Sequence, residues 1–238
     1  MLQCAILAGG LGTRMLPLTE TLPKAMLPVA GRPFVEWQLE LLVRQDVRRI
    51  TICAGHLARS LRDHVGDGSR WGAAVTWIDE GETRLGTAGA LRLALERGAL
   101  DPAFFVLYGD SYLEVSMEAV QEQWRASDLP ALMTVLRNSG RWEASNAIYR
   151  EGRVIRYDKS RPAGLRMDME WIDYGLSVLD ADLIAGRVPQ GAVADLAEVL
   201  RDLSLEGLLA GYEVGERFYE VGSAEGLADL EAHLGRRS

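Results

Sequence analysis

In the first half of the chain, apolar residues fall into short unbroken runs separated by stretches of helical periodicity. LQCAILA (residues 2–8) is apolar almost throughout and stops at Gly9 and Gly10, the pattern of a strand buried on both faces. RRITICA (48–54), AAVTWID (73–79) and AFFVLYGD (103–110) repeat it. Between them, Phe34, Trp37, Leu41 and Leu42 recur at helical spacing behind Pro33, a residue suited to the first helical turn. HLARSLRDHV (56–65) predicts a second helix, and TAGALRLALERG (87–98) a third with Thr87 as its cap and Gly98 at its end. Strands alternating with helices over residues 1–125 predict a right-handed, largely parallel sheet with helices on both faces.

The pattern then changes. ALMTVLR (131–137), NAIYR (146–150), RVIRYD (153–158) and IDYGLSVL (172–179) alternate apolar with polar positions or carry β-branched residues, with turn signals such as Glu151-Gly152 between them. They predict an antiparallel or mixed extension of the sheet, lying over the substrate. Helical stretches near 192–203 and 223–234 follow. No period repeats, and no hexapeptide β-helix pattern is present. The expected fold class is α/β: a Rossmann-like mixed, largely parallel sheet flanked by helices, forming one domain over residues 1–238 with halves at 1–125 and 126–238.

Composition narrows the function classes. With 48% hydrophobic and 25% charged residues the chain can bury a substantial core. Its longest apolar runs fall far short of the ~20 residues that cross a bilayer, and no signal-peptide pattern opens it. A cytoplasmic protein without membrane partners is expected. Cys4 and Cys53 lie inside apolar strand candidates, read as free buried thiols, and lack metal-ligand spacing. A net charge of -8 with scattered arginines argues against a nucleic-acid surface, yet suits a single phosphorylated small molecule. His56, His64 and His233 have no motif around them and read as surface or core residues. Of the 26 basic residues only Lys24 and Lys159 are lysines. Where arginine is otherwise universal, a surviving lysine points to a site needing a compact ammonium, such as a crowded phosphate pocket.

Lys24 sits in an unusual loop. Roughly 22 residues separate the first strand from the first helix, against a usual ~2 to 6. Gly9, Gly10 and Gly12 open it, so backbone N–H groups can converge on an anion. It lacks the third glycine of a dinucleotide fingerprint, because Gly10 and Gly12 are followed by Met15, and no glycine-lysine-serine/threonine run makes a P-loop. Instead Arg14 follows the glycines, with Pro23-Lys24 ten residues later. LAGGLGTRMLPLTETLPKAMLPVAGRPFVEW (7–37) resembles the signature of the sugar-1-phosphate nucleotidylyltransferases, including short forms similar to heptose- and mannose-1-phosphate guanylyltransferases and N-acetylmuramate-1-phosphate uridylyltransferases. The resemblance implies that Gly9, Gly10, Gly12 and Thr13 wrap the triphosphate, Arg14 holds the leaving phosphates, and Lys24 contacts phosphates at the reacting centre.

Further matches follow along the chain. RLGTAGAL (84–91) is explained equally well by a helix cap, but it resembles the family's base-reading segment, making Gly86, Thr87 and either Asp79 or Glu80 candidate nucleotide contacts. Gly109-Asp110-Ser111 resembles the family's GDS/GDT element, whose aspartate holds Mg²⁺, a hard ion that takes one or two carboxylates alongside phosphates and water. In YEVGSAEG, Glu220 stands where the second metal-binding aspartate is expected. Asp158 and Lys159 resemble the Glu-Lys pair that lies against the sugar phosphate, joined by Gly109, Asn146, Asp173, Tyr174 and Gly175. The implied substrates are a nucleoside triphosphate and a sugar-1-phosphate, bound by the first and second halves respectively. The alternatives are a glycosyltransferase using a ready-made nucleotide sugar, although Asp110-Ser111-Tyr112 lacks the second aspartate of Asp-x-Asp, and a non-catalytic nucleotide-sugar-binding protein. The GTAGAL segment leans toward guanylyl transfer, with uridylyl, thymidylyl and cytidylyl transfer left open.

Overall fold

The computed structural model describes residues 1–10, 12–55, 57–81, 83–138, 141–142 and 144–236. In chain order its first half contains β1 (Gln3–Leu7), β2 (Pro28–Val29), β3 (Arg32–Pro33), α1 (Phe34–Arg44), β4 (Arg49–Ala54), α2 (Ala58–Val65), β5 (Ala74–Asp79), α3 (Gly86–Glu96), β6 (Ala103–Tyr108), β7 (Ser111–Tyr112) and α4 (Met117–Ser127). The second contains β8 (Ala131–Arg137), β9 (Ala147–Arg150), β10 (Arg153–Tyr157), β11 (Trp171–Asp180), α5 (Ala181–Arg187), α6 (Leu196–Glu206), β12 (Leu209–Val214), β13 (Tyr219–Glu220) and α7 (Ala224–Gly235).

Nine strands form one sheet in the order β5-β4-β1-β6-β11-β8-β12-β10-β9. β5, β4, β1 and β6 run parallel, and β1, β4 and β6 are buried as their apolar runs predict, whereas β5 is the edge strand with only Ile78 buried. Beyond β6 the sheet is mixed. β11 runs antiparallel to both β6 and β8, and β12 is parallel to β8. The chain leaves β1 toward β4 and β5, then returns to β6 on the other side of β1. That reversal opens a crevice at the carboxyl ends of β1 and β6, where ligands of open α/β sheets bind.

Strand alternation divides the core. Cys4 and Ile6 of β1 face Val35, Leu39 and Leu42 of α1 with Leu61 and Val65 of α2. Ala5 and Leu7 face Ala88, Leu91 and Ala94 of α3 with Leu200 and Leu203 of α6. Both cysteines are free and buried. Burial pushes the Cys4 thiol up, and pushes Cys53 up to about 12. A third cluster packs Leu230 and Leu234 of α7 on Phe34, Tyr112, Tyr219 and Val221, fixing two short ribbons, β2–β3 and β7–β13. No helix among the described residues is long and apolar enough to cross a membrane.

Several expectations shift. Pro33 pairs with Pro28 across the β2–β3 ribbon and serves as the N-cap of α1, which begins at Phe34. α3 begins at Gly86 with Leu85 at its N-cap, so Thr87 does not cap it. The Thr87 hydroxyl instead accepts from Leu196 N (2.7 Å) and donates to Asp195 Oδ1 (2.8 Å), bracing Asp195, the N-cap of α6. His56, expected to open α2, lies outside the described residues. α4, α5 and β12 are additional, as are the two-residue strands, which exist only through their partners.

Candidate active site

The loop after β1 is positioned by close backbone approaches. Gly12 has φ +67, and a Cβ there would lie 2.9 Å from Thr19 Cγ2 and 3.1 Å from Lys24 Cγ. The same glycine that turns the chain therefore seats the stem of Lys24. Pro23 then leads into a 3₁₀ turn, Lys24–Met26, that aims the ammonium inward. Gly109 N donates to Leu7 O at 2.9 Å, continuing the β1–β6 ladder by one residue. A Cβ on Gly109 would sit 2.9 Å from that oxygen, so only glycine lets the β6 end close against β1.

Across this junction Lys24 Nζ meets Asp110 Oδ2 at 2.8 Å, joining residues 86 positions apart. The pair lies in a cleft of about 700 Å³ lined by Gly9, Gly10, Glu80, Gly86, Thr87 and Tyr108, among others. Of Asp79 and Glu80 it is thus Glu80 that lines the cleft, whereas the Asp79 carboxylate accepts from Gly81 N at 2.8 Å. Burial raises the Glu80 carboxyl above its ordinary range, opposed by the Leu85 N–H and reinforced by Asp79. A Cβ on Gly9 would fall 2.3 Å from Glu80 Oε1.

The β7–β13 ribbon brings Glu220 to the same end. Glu220 pairs with Ser111, and Val221 N donates to Asp110 O at 2.9 Å. A Cβ on Gly222 would lie 3.1 Å from Glu220 Oε2 and 3.2 Å from an Arg14 terminal nitrogen, so Arg14 and Glu220 flank one glycine. Thr13 and Arg14 are exposed on a 3₁₀ turn, Thr13–Met15. Among the described residues, no group of three or more His, Cys, Asp or Glu is gathered for a metal. Asp110, directly before β7, and Glu220, on β13, nevertheless lie side by side in the chain pairing, and oxygen ligands of this kind suit Mg²⁺ completed by phosphates and water.

The sugar-side candidates are held differently. Lys159 Nζ lies 5.6 Å above the Tyr108 ring. Asp173 accepts from Tyr157 OH (3.1 Å) and Gly175 N (3.0 Å), while its own N–H donates to Asn146 Oδ1 (2.9 Å). Burial raises the Asp173 carboxyl, and the Lys159 charge opposes that rise. Asp158 is buried and accepts from Ser160 N, Ser160 Oγ and Arg156. Hydrogen bonds from Ser160 hold its carboxyl below the ordinary range, against the effect of burial. Tyr174 is buried with its ring against Phe218 and its hydroxyl donating to Arg217 O at 3.4 Å. Gly175 has φ +102 at a bulge in β11. Asn146, Asp158, Lys159, Asp173, Tyr174 and Gly175 are not among the described residues lining the main cleft.

Residues missed from sequence include Tyr108, Arg84 and Val193, all lining the cleft. Tyr108 had a signal, an aromatic ending a buried strand directly before Gly109-Asp110. Val193 had none, because its segment reaches the cleft only by docking on α3: Ala194 O accepts from Ala88 N at 3.0 Å, and a Cβ on Gly86 would lie 2.5 Å from that oxygen. His64 contacts Glu36 (2.9 Å), and His233 contacts Glu114 (2.8 Å) and stacks on Tyr219; neither lines the cleft.

The crevice at the strand-order reversal, with its glycine turn and its lysine–aspartate pair, is placed where open α/β sheets bind their ligands. Residues 4–143 match the sequence profile of the nucleotidyl transferase family, and the chain belongs to it. It is 29% identical to N-acetylmuramate alpha-1-phosphate uridylyltransferase of Neisseria meningitidis, across 98% of this chain and 99% of that one. It is 26% identical to UTP–glucose-1-phosphate uridylyltransferase of Synechocystis, over 91% of this chain but 58% of the relative. HddC from Yersinia pseudotuberculosis, crystallised with GMP-PN, shares the fold with a TM-score of 0.77 at 23% identity, covering 98% and 100% of the two chains.

Proposed function

We propose that this protein transfers a nucleotidyl group from a nucleoside triphosphate to a sugar-1-phosphate, giving a nucleoside diphosphate sugar and pyrophosphate. The observation that carries the reading is the Lys24–Asp110 pair at 2.8 Å, set at the joined carboxyl ends of β1 and β6 and beside the glycine turn. A sugar-phosphate oxygen forms the new bond to the α-phosphorus. The bond from that phosphorus to the bridging oxygen breaks, and its electron pair leaves with pyrophosphate. The nucleophile is already an anion, so no general base is needed.

The chain's own work is alignment and charge neutralisation. Gly9, Gly10, Gly12 and Thr13 offer backbone N–H groups to the triphosphate, and Arg14, exposed beside Gly222, holds the leaving phosphates. The Lys24 ammonium exchanges its carboxylate partner for phosphoryl oxygens. Gly86 and Thr87 edge the base, and Lys159 supplies the sugar phosphate's counter-charge, with Gly109, Asn146, Asp158, Asp173, Tyr174 and Gly175 framing that side. Asp110 and Glu220 would hold Mg²⁺, which when bound neutralises charge on the phosphates. A triphosphate donor is consistent with work in the cytoplasm.

Uridine is the base supported by the relative matched over its full length, and guanine the one suggested by GTAGAL. The test is a pyrophosphate-release matrix of UTP, GTP, dTTP and CTP against a panel of sugar-1-phosphates. Release from at least one pair is expected. Binding of a nucleotide sugar without release from any pair would sink the catalytic reading in favour of a sensor.

A further inference from the structure

The turn that presents Asp110 is gripped from below by a buried amide. Gln38, on α1 and 1% exposed, donates from Nε2 to Tyr108 O at 3.0 Å and to Ser111 O at 2.9 Å. These two carbonyls bracket Gly109 and Asp110. The intervening groups are tied elsewhere, Gly109 N to Leu7 O and Asp110 O to Val221 N. The amide orientation follows from its partners, because a flipped Gln38 would set its oxygen against two carbonyls. Its own Oε1 is buried without a hydrogen-bond partner. A core position that only filled space would not keep an orphaned acceptor, so the double donation is what the residue provides.

We infer that Gln38 is a positioning residue for Asp110: its amide clamps the 108–111 turn so that the Asp110 carboxylate stands opposite Lys24. The inference rests on the proposed reaction for its kinetic consequence. A misplacement of about 1 Å remote from the chemistry can cost roughly 100-fold in rate. Gln38 touches no substrate, so substrate affinity should change little.

The test uses Gln38→Met, similar in length but without donors, and Gln38→Glu, which can donate only while protonated. In Gln38→Met, kcat is expected to fall at least about 10-fold, about 1.4 kcal/mol of barrier, with both KM values within about threefold of wild type. In Gln38→Glu, kcat relative to wild type should fall as pH rises, because an ionised carboxylate faces two carbonyls. The Gln38→Met ratio should stay flat. Asp110, Glu36, Glu40, His64 and Tyr108, the ionisable groups of the turn and of the α1 surroundings, are present in both variants, so a pH dependence seen in Gln38→Glu and absent from Gln38→Met arises from the introduced carboxyl. A merely structural role would lower the melting temperature of both variants while leaving kcat within twofold and both ratios flat, which overturns the proposal. Should neither variant fold, exchange of the Gln38 side-chain amide protons in the wild-type protein decides. Slow exchange is expected, and exchange at exposed-amide rates overturns the clamp. Wild-type turnover with no substrate pair would refute the reaction instead, and the exchange measurement would still judge the clamp.

Discussion

Around the junction of β1 and β6 the backbone itself fixes the site at Gly109, where a Cβ would fall 2.9 Å from Leu7 O, whereas Asn146, Asp158 and Asp173 are held by side-chain hydrogen bonds. The first arrangement is stiff, because no side-chain rotation can relax a Cβ placed against a carbonyl. The second can be remodelled one residue at a time. Such a division suits a transferase whose phosphate chemistry is constant while its sugar varies between relatives, and it makes the two regions respond differently to substitution.

The largest difference should come from charge removal at the rigid junction. Lys24→Ala or Asp110→Ala is expected to lower turnover at least ~100-fold, the scale of losing a transition-state charge partner. Pyrophosphate release from folded, purified variants measures it. Near-normal turnover in either would erase the contrast, since the 2.8 Å pair would then be a structural bridge.

Glycine substitutions sharpen the comparison next. Gly109→Ala forces a Cβ to 2.9 Å from Leu7 O and 3.0 Å from Ala8 Cα, and should cost about 1–3 kcal/mol of stability through overpacking. Gly10→Ala meets nothing within 4 Å, so its stability should stay within about 0.5 kcal/mol of wild type while triphosphate binding weakens. Urea midpoints for the two, read beside KM for the triphosphate, separate backbone fit from ligand contact. Equal midpoints would mean that the β1–β6 closure tolerates a side chain.

On the pliable side, Asp173→Asn should act mainly on the sugar phosphate. Its KM is expected to rise roughly tenfold, about 1.4 kcal/mol, with the triphosphate KM unchanged. Stability carries a second readout. Burial raises the Asp173 carboxyl, so from its ordinary value upward the native state binds more protons than the unfolded chain, and wild-type stability falls as pH rises through that window. Asparagine does not titrate. The variant should therefore gain stability relative to wild type from about pH 4 upward, and a difference that stays level across the range would refute the buried-carboxylate account.

The same division explains what could be read from sequence. The central parallel strands β1, β4 and β6 were legible because burial on both faces leaves apolar runs, and the glycine turn because close approach permits only one residue type. Lys24 stood out by its rarity beside 24 arginines. Gln38 left a fainter trace, a polar residue sharing the buried face of α1 with Phe34, Val35, Leu39 and Leu42. The β7–β13 ribbon and the docking of residues 192–195 on α3 left none, because both depend on contacts between segments some 100 residues apart. Thr87 was misplaced as the cap of its own helix for that reason: its partner is the start of α6.

Tyr108 stands on the boundary between the two regions and yields the smallest expected effect. Its ring lines the cleft below Lys159, yet its hydroxyl is buried with no hydrogen-bond partner, and burial together with the Asp173 charge raises its pKa well above the ordinary value. The neutral phenol is therefore a donor in waiting, and a sugar hydroxyl is the group the proposed reaction would bring to it. Tyr108→Phe removes an unpaired polar atom, so stability should hold or rise by up to about 1 kcal/mol. If the phenol pairs with the sugar, KM for the sugar phosphate should rise about threefold while the triphosphate KM stays constant. A matched rise in both would put Tyr108 on the rigid side of the division, serving the backbone of the Asp110 turn rather than the sugar.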